Sequence, residues 1–313
     1  MASLKNIKLK IQSYKKTGTV THAMEAVSAV KMRKGQERAL GGRSYAAAAL
    51  SVLERLSGTI DVARHPLMNE VSVKAGALQA KTCFIVVTSD KGLAGSLNSG
   101  VIRRVEQEIG RLNLPVNEVI IIAIGRRGAD YFASRGYDVR LRQENVSDDV
   151  SEVSMRAVTD KLLEWHAVGE IGTAMIVYTN FVSTFEQEAV VRQIIPITPV
   201  VINEIVAGIR PARGRYSPAS AEAMAGKPVS YTIEPSADVI LSVLLPRLLN
   251  IAVFHALLES KASEHSARMV AMKSATDKAK DMAKSYTRTF NKIRQAAITA
   301  EVSEITSGME AMK

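Results

Sequence analysis

Proline is missing from both ends of this 313-residue chain: all nine prolines fall between Pro66 and Pro246. The 65 residues before Pro66 and the 67 after Pro246 contain none, and no glycine stands between Gly226 and Gly308. An unbroken helix over the last stretch would run ~100 Å, more than one compact domain covers. The two ends are therefore expected to be paired rods with a folded domain strung between them. Cysteine is nearly absent too. The single Cys83 excludes an intrachain disulfide, fits a reducing compartment and, set in an apolar run, reads as inert core. Aromatics make up 5% of the chain, whereas Met and Ala are common; this suits long helix seams in which small and unbranched side chains pack. No apolar run reaches the ~20 residues of a bilayer span, and Asn250 and His255 interrupt the most apolar one, Leu248–Leu258. The lysine-rich start, Met1–Lys16, has no arginine and no apolar run behind it. Neither a secretory signal nor a mitochondrial presequence is expected there, and the chain reads as soluble from its natural start.

The formal net charge is +10, and its location says more than its size. Residues 1–57 carry 11 Lys and Arg against 3 acids, and residues 247–313 carry 11 against 7. The middle is slightly acidic, with 19 basic and 21 acidic residues. A basic rod suits nucleic acid, an acidic membrane surface, an acidic protein sleeve, or simply a solvated helix face.

From Leu4 to about Ser57 the pattern is helical. Leu4, Ile7, Ile11 and Tyr14 step by three and four, and the step is expected to resume at Val20, Met24 and Val27. Gly18, Gly35, Gly41 and Gly42 weaken this helix by roughly 1 kcal/mol each relative to Ala, so it needs a partner. The tail supplies one. Met269, Met272, Thr276, Ala279, Ala283, Tyr286, Phe290, Ile293 and Ala297 keep a strict 3-4 step, which Ile298, Val302, Ile305 and Met309 continue after a one-residue shift. The two rods are expected to run antiparallel, because the chain must go out and come back. Between them, 82–88, 119–124 and 173–179 read as buried strands, alternating with helices near 98–112, 127–134 and 151–168. A further strand at 188–195 is expected to pair antiparallel to the one before it. Strands alternating with helices predict a parallel sheet. The fold class is thus α/β: a Rossmann-like central domain plus a long antiparallel coiled coil of the N- and C-terminal helices. The expected segments are 1–60 (first coil helix), 61–236 (α/β domain, with an exposed Gly/Pro/Ser/Arg-rich loop at 207–236) and 237–313 (second coil helix).

Residues 89–98 (SDKGLAGSLN) follow a strand and precede a helix, as does Gly125-Arg-Arg-Gly128. Neither has the spacing of a dinucleotide or Walker loop, and a structural turn explains both. The five histidines are scattered, so no metal site is expected. His265 reads as a surface or interface residue, and Asp148 and Asp149 read as helix-capping acids. No catalytic constellation stands out, and no cofactor is expected. Two other readings of the same residues stay open: a nucleic-acid binder with a basic helical arm, and a nucleotide-dependent enzyme using the Gly92–Gly95 turn.

The dense polar signals lie on the rods: residues 24–34 (MEAVSAVKMRK), 262–272 (ASEHSARMVAM) and 294–299 (RQAAIT) followed by 304–308 (EITSG). Together with the 89–98 turn, in this order along the whole chain, they resemble the gamma subunit of the F-type ATP synthase. Ala94 stands where the family often has Cys, Met309 follows Gly308 where a small residue is usual, and one cysteine cannot form the regulatory pair of the chloroplast type. The resemblance implies a non-catalytic rotor shaft that couples proton flow through the c-ring to ATP synthesis on the alpha/beta ring and regulates its ATPase activity. It implies one copy per complex, with alpha, beta, epsilon and c subunits as partners, peripheral on the cytoplasmic face of a bacterial inner membrane. By the same analogy Arg294, Gln295 and Thr299 face the beta catch loops, joined by Glu264 and Arg268, while Met24 and Lys31 lie near moving loops.

Overall fold

A computed structural model of the chain describes residues 4–57, 66–68, 80–150, 152–198 and 237–312, apart from the side chains of 39–57, 237, 238 and 240. The expected loop at 207–236 lies outside the described residues. The main elements, in chain order, are α1 (Leu4–Ser57), β1 (Lys81–Val87), α2 (Leu97–Arg111), β2 (Val119–Ile124), α3 (Arg126–Ser134), β3 (Asp138–Gln143), α4 (Glu152–Ala167), β4 (Ile171–Phe181), β5 (Gln187–Ile195) and α5 (Ala237–Ala311). They form two compact units: residues 1–29 with 268–313, and residues 30–267.

The larger unit is built on a five-stranded sheet of order β3-β2-β1-β4-β5. The first four strands are parallel and β5 returns antiparallel to β4, as the sequence predicts. Successive side chains of a strand alternate between faces, and here both faces are covered. Cys83, Ile85, Ile120, Ile122 and Ile176 pack with Met155, Val158 and Leu162 of α4 and with Leu249, Val253, Ala256 and Leu257 of α5. Phe84, Val86, Ile121, Ala123 and Val177 pack on the other side with Val101, Val105 and Ile109 of α2 and with Ala129 and Phe132 of α3. Double coverage is why β1 and β2 read as unbroken apolar runs rather than alternating ones. Burying each such Ile or Val stabilises the fold by ~1.5–3 kcal/mol. Strand β3 is the one the sequence reading missed. Its residues, DVRLRQ, are polar because it lies at the sheet edge and pairs only with β2. Arg140 there bonds Asp138 at 2.8 Å and Glu170 at 2.6 Å.

Helix α5 begins upstream of Pro246 and runs through it. The proline removes one helical hydrogen bond, and the buried neighbours Leu245, Leu248 and Leu249 hold the turn in place. An 18-residue window of α5 reaches a mean hydropathy of 1.8, and 67% of it is buried, so its apolarity serves the core. Asn250, which breaks that run, is buried at 3% exposure, and its amide donates to Glu152 Oε1 at 3.0 Å.

In the smaller unit α1 and α5 run antiparallel: Tyr14 stacks on Tyr286 at 5.5 Å, Gly18 faces Ala279 and the Thr21 hydroxyl meets that of Thr276 at 2.6 Å. The α5 seam is the expected one, with Met272, Thr276, Ala279 and Ala283 buried. The α1 seam differs from expectation. Val20 and Val27 are 58% and 56% exposed, while Gly18, Thr21 and Ser28 are buried. The heptad step therefore continues through small residues, because the helices approach closely there and larger side chains would hold them apart.

Two contrasting glycine substitutions test these close approaches. Gly18→Ala places a Cβ 3.6 Å from Ala279 Cβ, an ordinary contact, so the melting transition should rise with a gain of about 0.5–1 kcal/mol from helix propensity. Gly125 has φ +101°, and a Cβ there would lie 2.1 Å from the Thr88 carbonyl oxygen, so Gly125→Ala should destabilise by more than about 2 kcal/mol. Burial also pushes the Cys83 thiol well above the ordinary range. Iodoacetamide should leave the native chain unmodified and label it only in denaturant.

Candidate functional site

The sequence-predicted residues are divided between the two units. In the smaller one, Arg294, Gln295 and Thr299 are exposed on α5, within little more than a turn of each other, and the Thr299 hydroxyl donates to the Gln295 carbonyl at 2.9 Å. Met24 is half-buried on α1, and its carbonyl accepts the Ser28 hydroxyl at 2.7 Å. Arg268 is buried at 9% exposure. It lies 26 residues before Arg294 on the same helix, roughly 39 Å away, so the two cannot share one contact. Beyond Ala297 the seam stops. Ile298, Val302, Ile305 and Met309 are 52%, 55%, 64% and 66% exposed, which corrects the expectation that they extend it. With Tyr14 on Tyr286 and α1 beginning at Leu4, the register carries α1 out near Ala297.

In the larger unit Lys31 and Glu264 belong to one polar cluster centred on Asp148, in the connection between β3 and α4. Lys31 Nζ donates to Asp148 Oδ2 at 2.7 Å, and His265 Nε2 lies 2.9 Å from Oδ1. Lys261 Nζ stands 4.0 Å from the same oxygen, donates to the Val146 carbonyl at 2.9 Å and lies 3.8 Å from Glu264. Arg38 donates to the Asp148 carbonyl at 2.6 Å and pairs with Asp149. The sequence predicts these two acids as helix caps and His265 as a surface or interface residue. Instead Asp148 is held by α1 and α5, and His265 is buried at 5% exposure. Only chain separation hides this: Asp148 meets partners 117 positions away in both directions of the sequence. The periodic spacing of Lys261 and His265 on one helix face was the available signal.

Hydrogen bonds from His265 and Lys31 hold the Asp148 carboxyl well below the usual carboxylate range, against the opposing effect of its partial burial. The folded value is depressed, so this group's contribution to stability is full above the ordinary Asp value of about 4 and is lost as pH falls through that region toward the native value. In chemical denaturation the stability difference between wild type and Asp148→Asn should shrink as pH falls below about 4. A difference that grows below about pH 4 would overturn the assignment.

The glycine turn after β1 is closed on itself. The Ser89 amide donates to Asn98 Oδ1 at 2.9 Å, the Asn98 amide donates to Ser89 Oγ at 2.8 Å, and Asp90 accepts the Arg126 amide at 3.0 Å. Its polar atoms are engaged in shaping the turn, as the structural reading of 89–98 expects.

A unit of two antiparallel helices and an α/β unit with a doubly covered sheet define the class of fold. Solved structures with the same fold are central stalks. The chain superposes on a chain of the Euglena gracilis mitochondrial ATP synthase (OSCP/F1/c-ring) with TM-score 0.62 at 16% identity, covering 99% of this chain and 94% of that one. It also superposes on a chain of the Tetrahymena thermophila central stalk/c-ring structure with TM-score 0.57 at 22% identity, covering 82% and 99%. The sequence carries the family further. Residues 3–312 match the family model described as ATP synthase. ATP synthase gamma chains of Heliobacterium modesticaldum and Pelotomaculum thermopropionicum are each 36% identical over 313 residues, the full length of both chains in each case. The chain belongs to the ATP synthase gamma chain family and is a subunit of that membrane-associated complex.

Proposed function

We propose that the chain is the rotor shaft of an ATP synthase, coupling proton flow through a c-ring to ATP synthesis on an alpha/beta ring and regulating that ring's ATPase activity. The observation that carries this reading is the 36% identity with a gamma chain over the full length of both, joined to the antiparallel pairing of the first and last helices. The subunit is non-catalytic: nucleotide binds on the ring, and the shaft acts by presenting different faces to successive beta subunits. Unequal contact shifts each site among its open and closed states. One copy serves each complex, with alpha, beta, epsilon and c subunits as partners, on the cytoplasmic face of a bacterial inner membrane.

Arg294, Gln295 and Thr299 face the beta catch loops. Glu264 and Arg268, with side chains nearly buried in the chain, contact beta at a separate place, since Arg268 lies roughly 39 Å from Arg294 along the helix. Met24 and Lys31 lie beside moving loops. Met24→Lys puts a cation on a half-buried seam edge, where it can pair with an acidic loop and hold the shaft at one angle. ATP-driven proton pumping in membrane vesicles should fall while ATP hydrolysis persists, and equal pumping by variant and wild type would refute the role of Met24. The reading as a whole is tested by affinity purification of the tagged chain from membranes. Recovery of a complex with alpha and beta subunits whose ATPase pumps protons is expected. A lone chain that turns over nucleotide would overturn it.

A further inference from the structure

The two helices are attached to the α/β domain by different means. Helix α5 enters the sheet's apolar core directly, through Leu249, Val253, Ala256 and Leu257. Among the described residues, no α1 side chain belongs to either apolar cluster. The polar links from α1 to the domain run, among the same residues, to one corner: Lys31 to Asp148 Oδ2, and Arg38 to the Asp148 carbonyl and to Asp149. The other carboxylate oxygen of Asp148 faces α5, through His265 and Lys261. One carboxylate thus bridges both helices with separate oxygens. The corner itself is anchored, because Val146 and Val150 on either side of it pack in the core with Met155 and Leu257.

We propose that the Asp148–Asp149 corner is a shear key, which fixes α1 to the α/β domain so that α1 does not slip along α5 while the shaft carries torque. This rests on the rotor-shaft reading above and adds a positioning role to it. The seam alone resists sliding poorly. At Gly35 the helices come so close that a Cβ would sit 3.4 Å from the Ala262 backbone. On the same α1 seam Ser28 and Gly35 flank the buried Met32, so near the corner one large side chain stands between small, smooth surfaces rather than in a run of interlocked knobs. Such packing opposes separation of the helices but leaves a low steric barrier along their length. Directional hydrogen bonds to a fixed corner oppose that displacement. Exposed ion pairs contribute little at rest; here the links matter when load displaces the helix and strains several of them together.

The test separates loaded from unloaded function in the assembled complex, in membrane vesicles. Asp148→Ala and Arg38→Met are compared with wild type by ATP hydrolysis in the presence of uncoupler and by ATP synthesis at the highest sustained proton gradient. The expected result is hydrolysis within about two-fold of wild type and loaded synthesis lower by about five-fold or more. The two substitutions should be non-additive, because they break one joint. Equal loss in both assays means a general structural role and overturns the key, as does no loss in either. Rescue supplies an independent readout. Arg38→Cys with Asp149→Cys, bridged by a short bismaleimide, should restore loaded synthesis relative to the unbridged pair, and the buried Cys83 does not compete for the reagent; no gain on bridging also overturns it. Failure of the rotor-shaft reading would look different, since the wild-type chain would then not assemble with alpha and beta at all.

Discussion

Helix α5 has to satisfy two incompatible neighbours, and the rest of the chain follows from how it does so. Between Leu241 and Leu258 it completes the core of a parallel sheet, which calls for bulky aliphatic side chains: Leu245, Leu249, Val253 and Leu257 are at most 1% exposed. From Met272 to Ala283 it lies against a second helix, and the buried residues become Met, Thr and Ala. A large side chain in the second stretch would push the helices apart, and a small one in the first would leave a cavity in the sheet core. At the changeover stand Lys261, Glu264 and His265, polar groups that neither neighbour can bury without partners. The Asp148 corner and Glu264 itself provide them.

That changeover explains why polar residues gather there. Asp148 is surrounded by cations and held ionised, the opposite of the raised acid that general acid catalysis needs at neutral pH. The glycine turn, which in other α/β sheets holds phosphate at a helix N-terminus, here spends the Ser89 amide on Asn98 and accepts the Arg126 amide through Asp90. Arg294, Gln295 and Thr299 stay exposed on the helix surface, with the apolar stripe of Ile298, Val302 and Ile305 beyond the last seam contact.

The sheet was legible in the residues because burial on both faces makes β1, β2 and β4 unmistakable, and the hairpin to β5 followed from their spacing. Strand β3 was not, since an edge strand with Arg140 and Arg142 carries no apolar signature. The tail seam was legible because Met, Tyr, Phe and Ile mark it at heptad spacing. The front seam was read correctly to Tyr14 and then lost. Hydrophobicity points to Val20 and Val27, whereas geometry selects Gly18, Thr21 and Ser28, whose value is their size. Thr21 shows how a polar residue tolerates that site. With one proton each, one hydroxyl of the Thr21–Thr276 pair donates across the seam, while Thr276 can donate to the Met272 carbonyl and Thr21 to that of Thr17. The Asp148 cluster was invisible for a different reason. Pairings over more than a hundred positions leave no local pattern, so only the residues on α5 hinted at it.

The basic surface of the helices follows the same economy of contact. Lys5, Lys8, Lys273, Lys280 and Lys284 are exposed, and none forms an ion pair among the described residues. Cations already paired within the chain would have to break those pairs before meeting an acidic partner. Unpaired and solvated ones exchange water for a carboxylate at little net gain, on the order of 1 kcal/mol or less. For a protein that must hold each partner briefly, weak pairing is the useful kind, because a strongly bound shaft would stop at one angle. Longer-range attraction between such cations and an acidic surface acts over a distance of about 8 Å at physiological salt. Lys31, Lys261 and His265 are accordingly turned onto Asp148, while Lys5, Lys8, Lys273, Lys280 and Lys284 face outward.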